Sequence, residues 1–299
     1  MTTQAAMVAQ LEALPKPLLW VIAARVKTLG LSLAPVGAGS WLAAHMGHWR
    51  VDVMLAAMGA AAAIQIGTNL WNDAADAKSG VDGPERLGPP RLTSLGLLDG
   101  GQVRRAAAGT FVIAVLLGLY LTALGGWPIV AIGLVSLALG FFYSMGPRPL
   151  SGTALGELLV IAFFGVVAVA GTVYLQGHAV GGAALVLGTI TGLPAAAVLL
   201  LNNHRDRVSD ARAGRRTLAI LLGQGASKGL YGLFLLAAWI GAIAFAGGVA
   251  MALLPAAALG IALCLAIVRL DISPALNRLI PGTAAFQVLL LLGIAGGAL

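Results

Sequence analysis

The chain has 299 residues, 59% of them hydrophobic and only 10% charged, with a mean hydropathy of +0.94. Soluble domains carry about a quarter charged residues, so this composition excludes a chain covered by a water-facing polar surface. A net charge of +7 would suit a nucleic-acid binder by composition alone, but the placement of the charges along the chain argues against that class.

Met1 to Lys16 contains Glu12 and lacks both an early basic region and a small-residue cleavage site, so no cleaved signal peptide is expected. Beyond it, apolar segments of about twenty residues recur without the two-residue alternation of barrel strands. Within lipid only helices and closed barrels satisfy every backbone amide, so the expected fold is an all-α polytopic membrane bundle. Its nine predicted transmembrane helices are Thr28–His45, Val51–Trp71, Ala106–Leu124, Trp127–Met145, Thr153–Gln176, Val180–Leu201, Lys228–Phe245, Gly247–Val268 and Leu279–Leu299. The whole chain, 1–299, reads as one transmembrane domain with a cytoplasmic segment over residues 1–24. Cys264 is the single cysteine and falls inside an apolar helix, which excludes disulfide, cysteine–zinc and iron–sulfur frameworks within one chain.

If the N-terminus and every second loop are taken as one side, all of the 18 Lys and Arg residues except Arg50 lie there. The positive-inside rule makes that side cytoplasmic. The N-terminus is then inside and the C-terminus outside a plasma (inner) membrane, and the basic excess is topological. The outer loops are short and nearly uncharged. Two cytoplasmic loops, Asn69 to Arg105 and Asn202 to Lys228, are long and dense in charge, and loops of that length in a compact helical protein are usually functional.

Asn69-Leu70-Trp71-Asn72-Asp73-Ala74-Ala75-Asp76 opens the first loop and Asn202-Asn203-His204-Arg205-Asp206-Arg207-Val208-Ser209-Asp210 the second. Asn69 and Asn202 are 133 positions apart, as are Asp73 and Asp206, which reads as a degenerate internal repeat. If helix persists through each motif, Asp73 and Asp76 share one face, and so do Asp206 and Asp210. Two such carboxylate pairs across a cavity would repel each other without cations between them. Mg²⁺ is a hard cation that takes carboxylates and completes its shell with substrate phosphates. Lys78, Arg86, Arg91, Arg215 and Arg216 supply donors for phosphate oxygens, so acids and bases together suit a metal-bridged diphosphate. Solvated loops whose charges pair with one another are the plain alternative, weakened by the matching of the two loops.

At these residues the sequence resembles the UbiA superfamily of intramembrane prenyltransferases, and within it the 1,4-dihydroxy-2-naphthoate prenyltransferases of menaquinone synthesis. The first motif continues through Gly80-Val81-Asp82 and Arg86-Leu87-Gly88-Pro89-Pro90-Arg91, and the second through Gly214-Arg215-Arg216-Thr217-Leu218-Ala219. Arg25-Val26-Lys27-Thr28-Leu29 and Leu155-Gly156-Glu157 also fit, and Tyr174-Leu175-Gln176 fits more loosely. Val26, Ala74 and Arg215 depart from the family pattern, where Pro, Tyr and Lys are usual. The resemblance implies a nine-helix bundle that transfers a polyprenyl group from its diphosphate to a small aromatic acceptor, with Asp73, Asp76, Asp206 and Asp210 holding Mg²⁺.

Asn69 and Asn72 would complete the metal shell and Asn202 and Asn203 the diphosphate contacts, although asparagines also cap helix ends. Arg25 and Lys27 either grip diphosphate or acceptor carboxylate, or snorkel as interfacial anchors. Glu157 and Tyr143 are further acceptor-side candidates; Glu157 also complements a helix dipole, and Tyr143 suits the interfacial belt. His45 and His48 lack partner ligands for a metal. A transporter would place its site near the midplane, whereas here the acids cluster at one interface. Within the superfamily, 4-hydroxybenzoate and homogentisate remain competing acceptors.

Overall fold

The computed structural model describes residues 3–79, 87–144, 149–177, 179–248 and 251–297, and among them no strand forms. Two short helices, α1 (Thr3–Glu12) and α2 (Lys16–Ala23), lead into α3 (Gly30–His45). The chain turns between α2 and α3 at Arg25, whose φ of 53° and ψ of 45° place a non-glycine residue in the left-handed region. α4 (Val51–Ser79) is the longest helix described, followed by α5 (Gly100–Gly125) and α6 (Trp127–Ser144). The Asp99 side chain caps α5 by accepting from Gln102 N–H at 2.8 Å. Gly126, at φ 66°, then reverses the chain into α6.

The next span combines α7 (Gly156–Val160), a π-helical stretch (Ile161–Val167) and α8 (Ala168–Gly177). α9 (Gly182–Arg205) follows, then the single-turn α10 (Arg207–Arg212), α11 (Leu218–Phe245), α12 (Leu254–Arg269) and α13 (Leu279–Gly297). α11 breaks at Gly223, where φ 75° and ψ −177° leave the helical region. Lys228, just beyond that break, donates from Nζ to the carbonyls of Val268 and Leu270 and so satisfies the C-terminal end of α12.

Seven of the predicted spans are helices long and apolar enough to cross a membrane: Val51–Ala75, Gly100–Gly125, Gly156–Gly177, Gly182–Arg205, Leu218–Phe245, Met251–Arg269 and Pro274–Gly297. The first predicted span is one arm of a pair, Lys16–Thr28 and Gly30–His45, bent by 51°; taken as one span, it makes eight. The fourth is represented by a shorter apolar helix, Trp127–Leu139. The chain is therefore an all-α integral membrane protein, whose described residues hold seven helices that meet the length and apolarity of a span, or eight with the bent pair taken as one.

α9 is the centre of the bundle, with Leu187, Ala196, Ala197 and Leu200 fully buried. The π-helical stretch approaches it backbone to backbone. A Cβ added to Gly188 would lie 2.6 Å from Val166 Cα, and one on Gly192 would lie 2.9 Å from Ile161 Cα. Small residues allow this closeness, which dispersion rewards in lipid. Polar side chains cross-link the same core: Tyr231 Oη and Thr283 Oγ1 lie 2.6 Å apart, and Gln287 Nε2 donates to Thr191 O at 2.8 Å. Around Arg50, Gln176 ties the α3–α4 turn to α8, accepting from Arg50 N–H at 2.7 Å and donating to Arg50 O at 3.2 Å.

Candidate functional site

α4 begins beside Arg50 and carries its motif near its other end, and α8 ends beside Arg50 so that α9 runs away from it. Both motifs therefore arrive at the same end of the bundle. No Gly or Pro stands between Asn69 and Ser79, and helix continues through the first motif, as the spacing argument required. Asp73 is 3% exposed, and its carboxylate accepts from the N–H groups of Leu92 (3.2 Å) and Thr93 (3.0 Å). The part of the first loop that follows Leu87 is thereby held against α4. Leu92 and Leu98 complete a core with Leu19, Ala23, Leu70 and Ala74. Asn69 Nδ2 donates to Ala24 O at 3.0 Å, which fixes α2 beside the motif and places Arg25 next to it.

The second motif behaves differently. α9 stops at Arg205, and Asp206 sits outside it at φ −90° and ψ 4° before α10 resumes. Adjacent residues on a regular helix point apart, so this break is what lets Asp206 pair with its neighbour. The Arg205 guanidinium, 4% exposed, donates from Nε and Nη2 to the two Asp206 oxygens. Its Nη1 donates to Asn202 Oδ1 and to Asn277 Oδ1. The expected shared face of Asp206 and Asp210 survives only as a turn, Asp210 N–H bonding to Asp206 O at 2.9 Å, and the two side chains engage different arginines. Asp210 pairs with Arg215 at 2.9 Å. Burial pushes the Asp210 carboxyl above its ordinary value, against the opposing pull of the Arg215 guanidinium.

The start of the fifth span joins this cluster. Glu157 is buried and accepts from Asn203 Nδ2 at 2.9 Å, while its other oxygen has no hydrogen-bond partner among the described residues. Arg216 N–H donates to Gly152 O at 2.7 Å, docking the segment before that span onto the second loop. His204 is 1% exposed, and neither ring nitrogen has a partner among the described residues.

Of the remaining candidates, Asn72 and Arg91 are half-buried, and Lys27 and the Arg216 side chain are exposed. The side chains of Asp76, Lys78 and Tyr143, and the whole of Arg86, lie outside the described residues. Among the described residues no three His, Cys, Asp or Glu side chains gather as a metal cluster. The donor chemistry nevertheless fits a hard cation, since the two motifs offer carboxylates and amide oxygens. Arg205 and Arg215 provide the positive charge against Asp206 and Asp210 in this conformation.

Asn277 and the structural role of Arg205 escaped the sequence reading. In the sequence Arg205 reads as one of the topological charges; its position between Asn203 and Asp206 is the available signal. Asn277 lies between α12 and α13, far from either motif in sequence, and carried none.

Fold and site together define a polytopic helical membrane protein whose two matching polar motifs meet in one hydrogen-bonded network at one end of the bundle. The chain belongs to the UbiA prenyltransferase family, whose model matches residues 32–278. It is 38% identical over 216 residues to the 1,4-dihydroxy-2-naphthoate octaprenyltransferase of Mycobacterium tuberculosis, covering 71% of this chain and 72% of that one. It is 37% identical over 211 residues to the enzyme of the same name from Escherichia coli, covering 69% of this chain and 68% of that one. Its fold is similar to that of a UbiA homolog from Archaeoglobus fulgidus solved bound to DMAPP and Mg²⁺, with a TM-score of 0.62 and 13% identity over 93% of this chain and 98% of that one.

Proposed function

We propose that this chain transfers a polyprenyl group from its diphosphate to 1,4-dihydroxy-2-naphthoate, with loss of diphosphate and CO₂, giving demethylmenaquinol. The observation that carries the reading is its similarity, at 38% and 37% identity, to two enzymes named for that acceptor. The network at the motif end supports it, because a polar cluster at one end of an apolar bundle suits a charged diphosphate joined to a hydrocarbon tail.

In this reading the chain is a single transmembrane domain of nine spans in the plasma (inner) membrane, with both motifs and the N-terminal segment in the cytoplasm. The distribution of Lys and Arg about Arg50 supports that orientation. Asp73, Asp76, Asp206 and Asp210, with Asn69 and Asn72, would hold Mg²⁺, which when bound supplies positive charge for the departing diphosphate. Lys78, Arg86, Arg91, Arg215, Arg216, Asn202 and Asn203 bind the diphosphate oxygens and stabilise the charge that develops as the allylic C–O bond breaks. Arg215 can turn from Asp210 to the substrate, since its side chain is 43% exposed. The apolar helices keep water from the allylic cation until the electron-rich ring attacks it. Arg25, Lys27, Tyr143 and Glu157 form the acceptor side.

The test is to incubate the protein in nanodiscs with Mg²⁺ and a polyprenyl diphosphate, offering 1,4-dihydroxy-2-naphthoate, 4-hydroxybenzoate and homogentisate in parallel. Mass spectrometry should find a prenylated, decarboxylated naphthalene product that is lost with EDTA and in Asp73→Ala and Asp206→Ala. Product from another acceptor alone would overturn the naphthoate assignment, and no product from any acceptor would overturn the prenyl transfer itself.

A further inference from the structure

Among the described residues, a side chain outside both motifs links them. Asn277 precedes α13 and belongs to neither motif. Its Oδ1 accepts from Arg205 Nη1, and its Nδ2 donates to Leu87 O at 2.9 Å. Chemistry fixes this orientation of the amide, because a guanidinium only donates and a backbone carbonyl only accepts. On one side, Arg205 holds Asp206 and Asn202. On the other, Leu87 starts the segment whose Leu92 and Thr93 amides are bound by Asp73. One unbroken path therefore runs from the Asp73 carboxylate through backbone 87–93, the Asn277 amide and the Arg205 guanidinium to the Asp206 carboxylate.

From this we infer that Asn277 is a positioning residue that clasps the two acidic motifs together and sets the separation at which they meet a metal–diphosphate. The inference rests on the diphosphate-binding reading of the motifs. A side chain that must accept on one edge and donate on the other has few substitutes. Aspartate keeps the bond to Arg205 but turns an acceptor towards the Leu87 carbonyl. Leucine, close in shape, keeps neither bond and leaves a buried guanidinium N–H without its second acceptor.

The clasp makes the order of these two variants informative. In Asn277→Asp the second motif stays organised while segment 87–93 loses its tie to it. The Mg²⁺ concentration for half-maximal activity rises about fivefold to tenfold, as expected for one net hydrogen bond, and saturating Mg²⁺ restores most of kcat. Asn277→Leu raises it further and also lowers kcat, because Arg205 is affected as well. A purely structural asparagine would lower the yield of folded protein without moving the Mg²⁺ requirement of the fraction that folds.

The experiment measures Mg²⁺ titrations of wild-type protein and both variants in nanodiscs, alongside limited trypsin cleavage after Arg91 with and without Mg²⁺ and inorganic pyrophosphate. Leu92, on the far side of that bond, is fully buried, so the wild-type bond resists cleavage. Asn277→Asp is cut about fivefold to tenfold faster, and the difference narrows when Mg²⁺ and pyrophosphate are present. Equal cleavage rates and equal Mg²⁺ titrations in wild type and Asn277→Asp overturn the clasp. If wild type forms no prenylated product, the cleavage comparison still decides it: faster cleavage in Asn277→Asp upholds the clasp while the proposed reaction falls.

Discussion

Arg205→Met is the perturbation with the most to lose. The guanidinium is 4% exposed and spends its donors on Asp206, Asn202 and Asn277. Methionine keeps the length and fills the volume but leaves a carboxylate and two amide oxygens without donors. Removing one partner of a buried ion pair costs about 3–5 kcal/mol. Asp206 is 28% exposed, so water replaces part of what is lost, and the expected cost is near the lower end, about 3 kcal/mol. At about 2–4 °C per kcal/mol for a large domain, the melting temperature in detergent should fall by about 6–12 °C. Arg205→Lys retains the charge but not the planar fork, and should fall between the two. The assay is thermal unfolding followed by loss of the monodisperse peak in gel filtration, with prenyl transfer measured on the surviving fraction. A methionine variant melting within about 2 °C of wild type, with unchanged activity, would refute the view that Arg205 organises the second motif.

Three further outcomes follow from the same geometry. Gly192→Leu forces side-chain atoms into the backbone of Ile161, where even a Cβ would lie 2.9 Å from its Cα. Overpacking of this kind costs about 1–3 kcal/mol or more, and a melting temperature equal to wild type would mean that α9 and the π-helical stretch do not approach so closely. In Asp73→Asn one carboxylate acceptor becomes a donor facing an N–H, a loss of about 1–3 kcal/mol. Hydrogen exchange at Leu92 and Thr93 should then be at least about fivefold faster, and unchanged exchange would release Asp73 from its anchoring role. For Asp210, burial raises the carboxyl above its unfolded value. Without a divalent cation, its contribution to stability is thus present at low pH and lost as pH rises through the raised value. Cation binding needs the deprotonated form, so the Mg²⁺ requirement should climb as pH falls, beginning above the ordinary aspartate range. A requirement that stays flat as pH falls into the ordinary aspartate range would separate Asp210 from metal binding.

The limits of the sequence reading follow from which interactions leave a linear trace. Apolar runs long enough to span lipid mark helices because the bilayer permits little else, and the positions of the seven long apolar helices were legible in that way. The left-handed turn at Arg25 was not, since no glycine announces it. The motifs were legible because they repeat, and the helix through Asp73 because nothing before Gly80 breaks it. The break at Asp206 has no such residue beside it: it accompanies a pairing of Arg205 with its own neighbour, whose side chain would point away on a continuous helix. Asn277 marks the sharper limit. Its contacts lie 72 and 190 positions away along the chain, and the residue 133 places before it is Ser144, so it belongs to no repeat. A repeat search finds residues that have counterparts. The residue that joins two repeats into one site is needed only once, and in this chain it becomes visible only when α13 folds back to bring Asn277 between them.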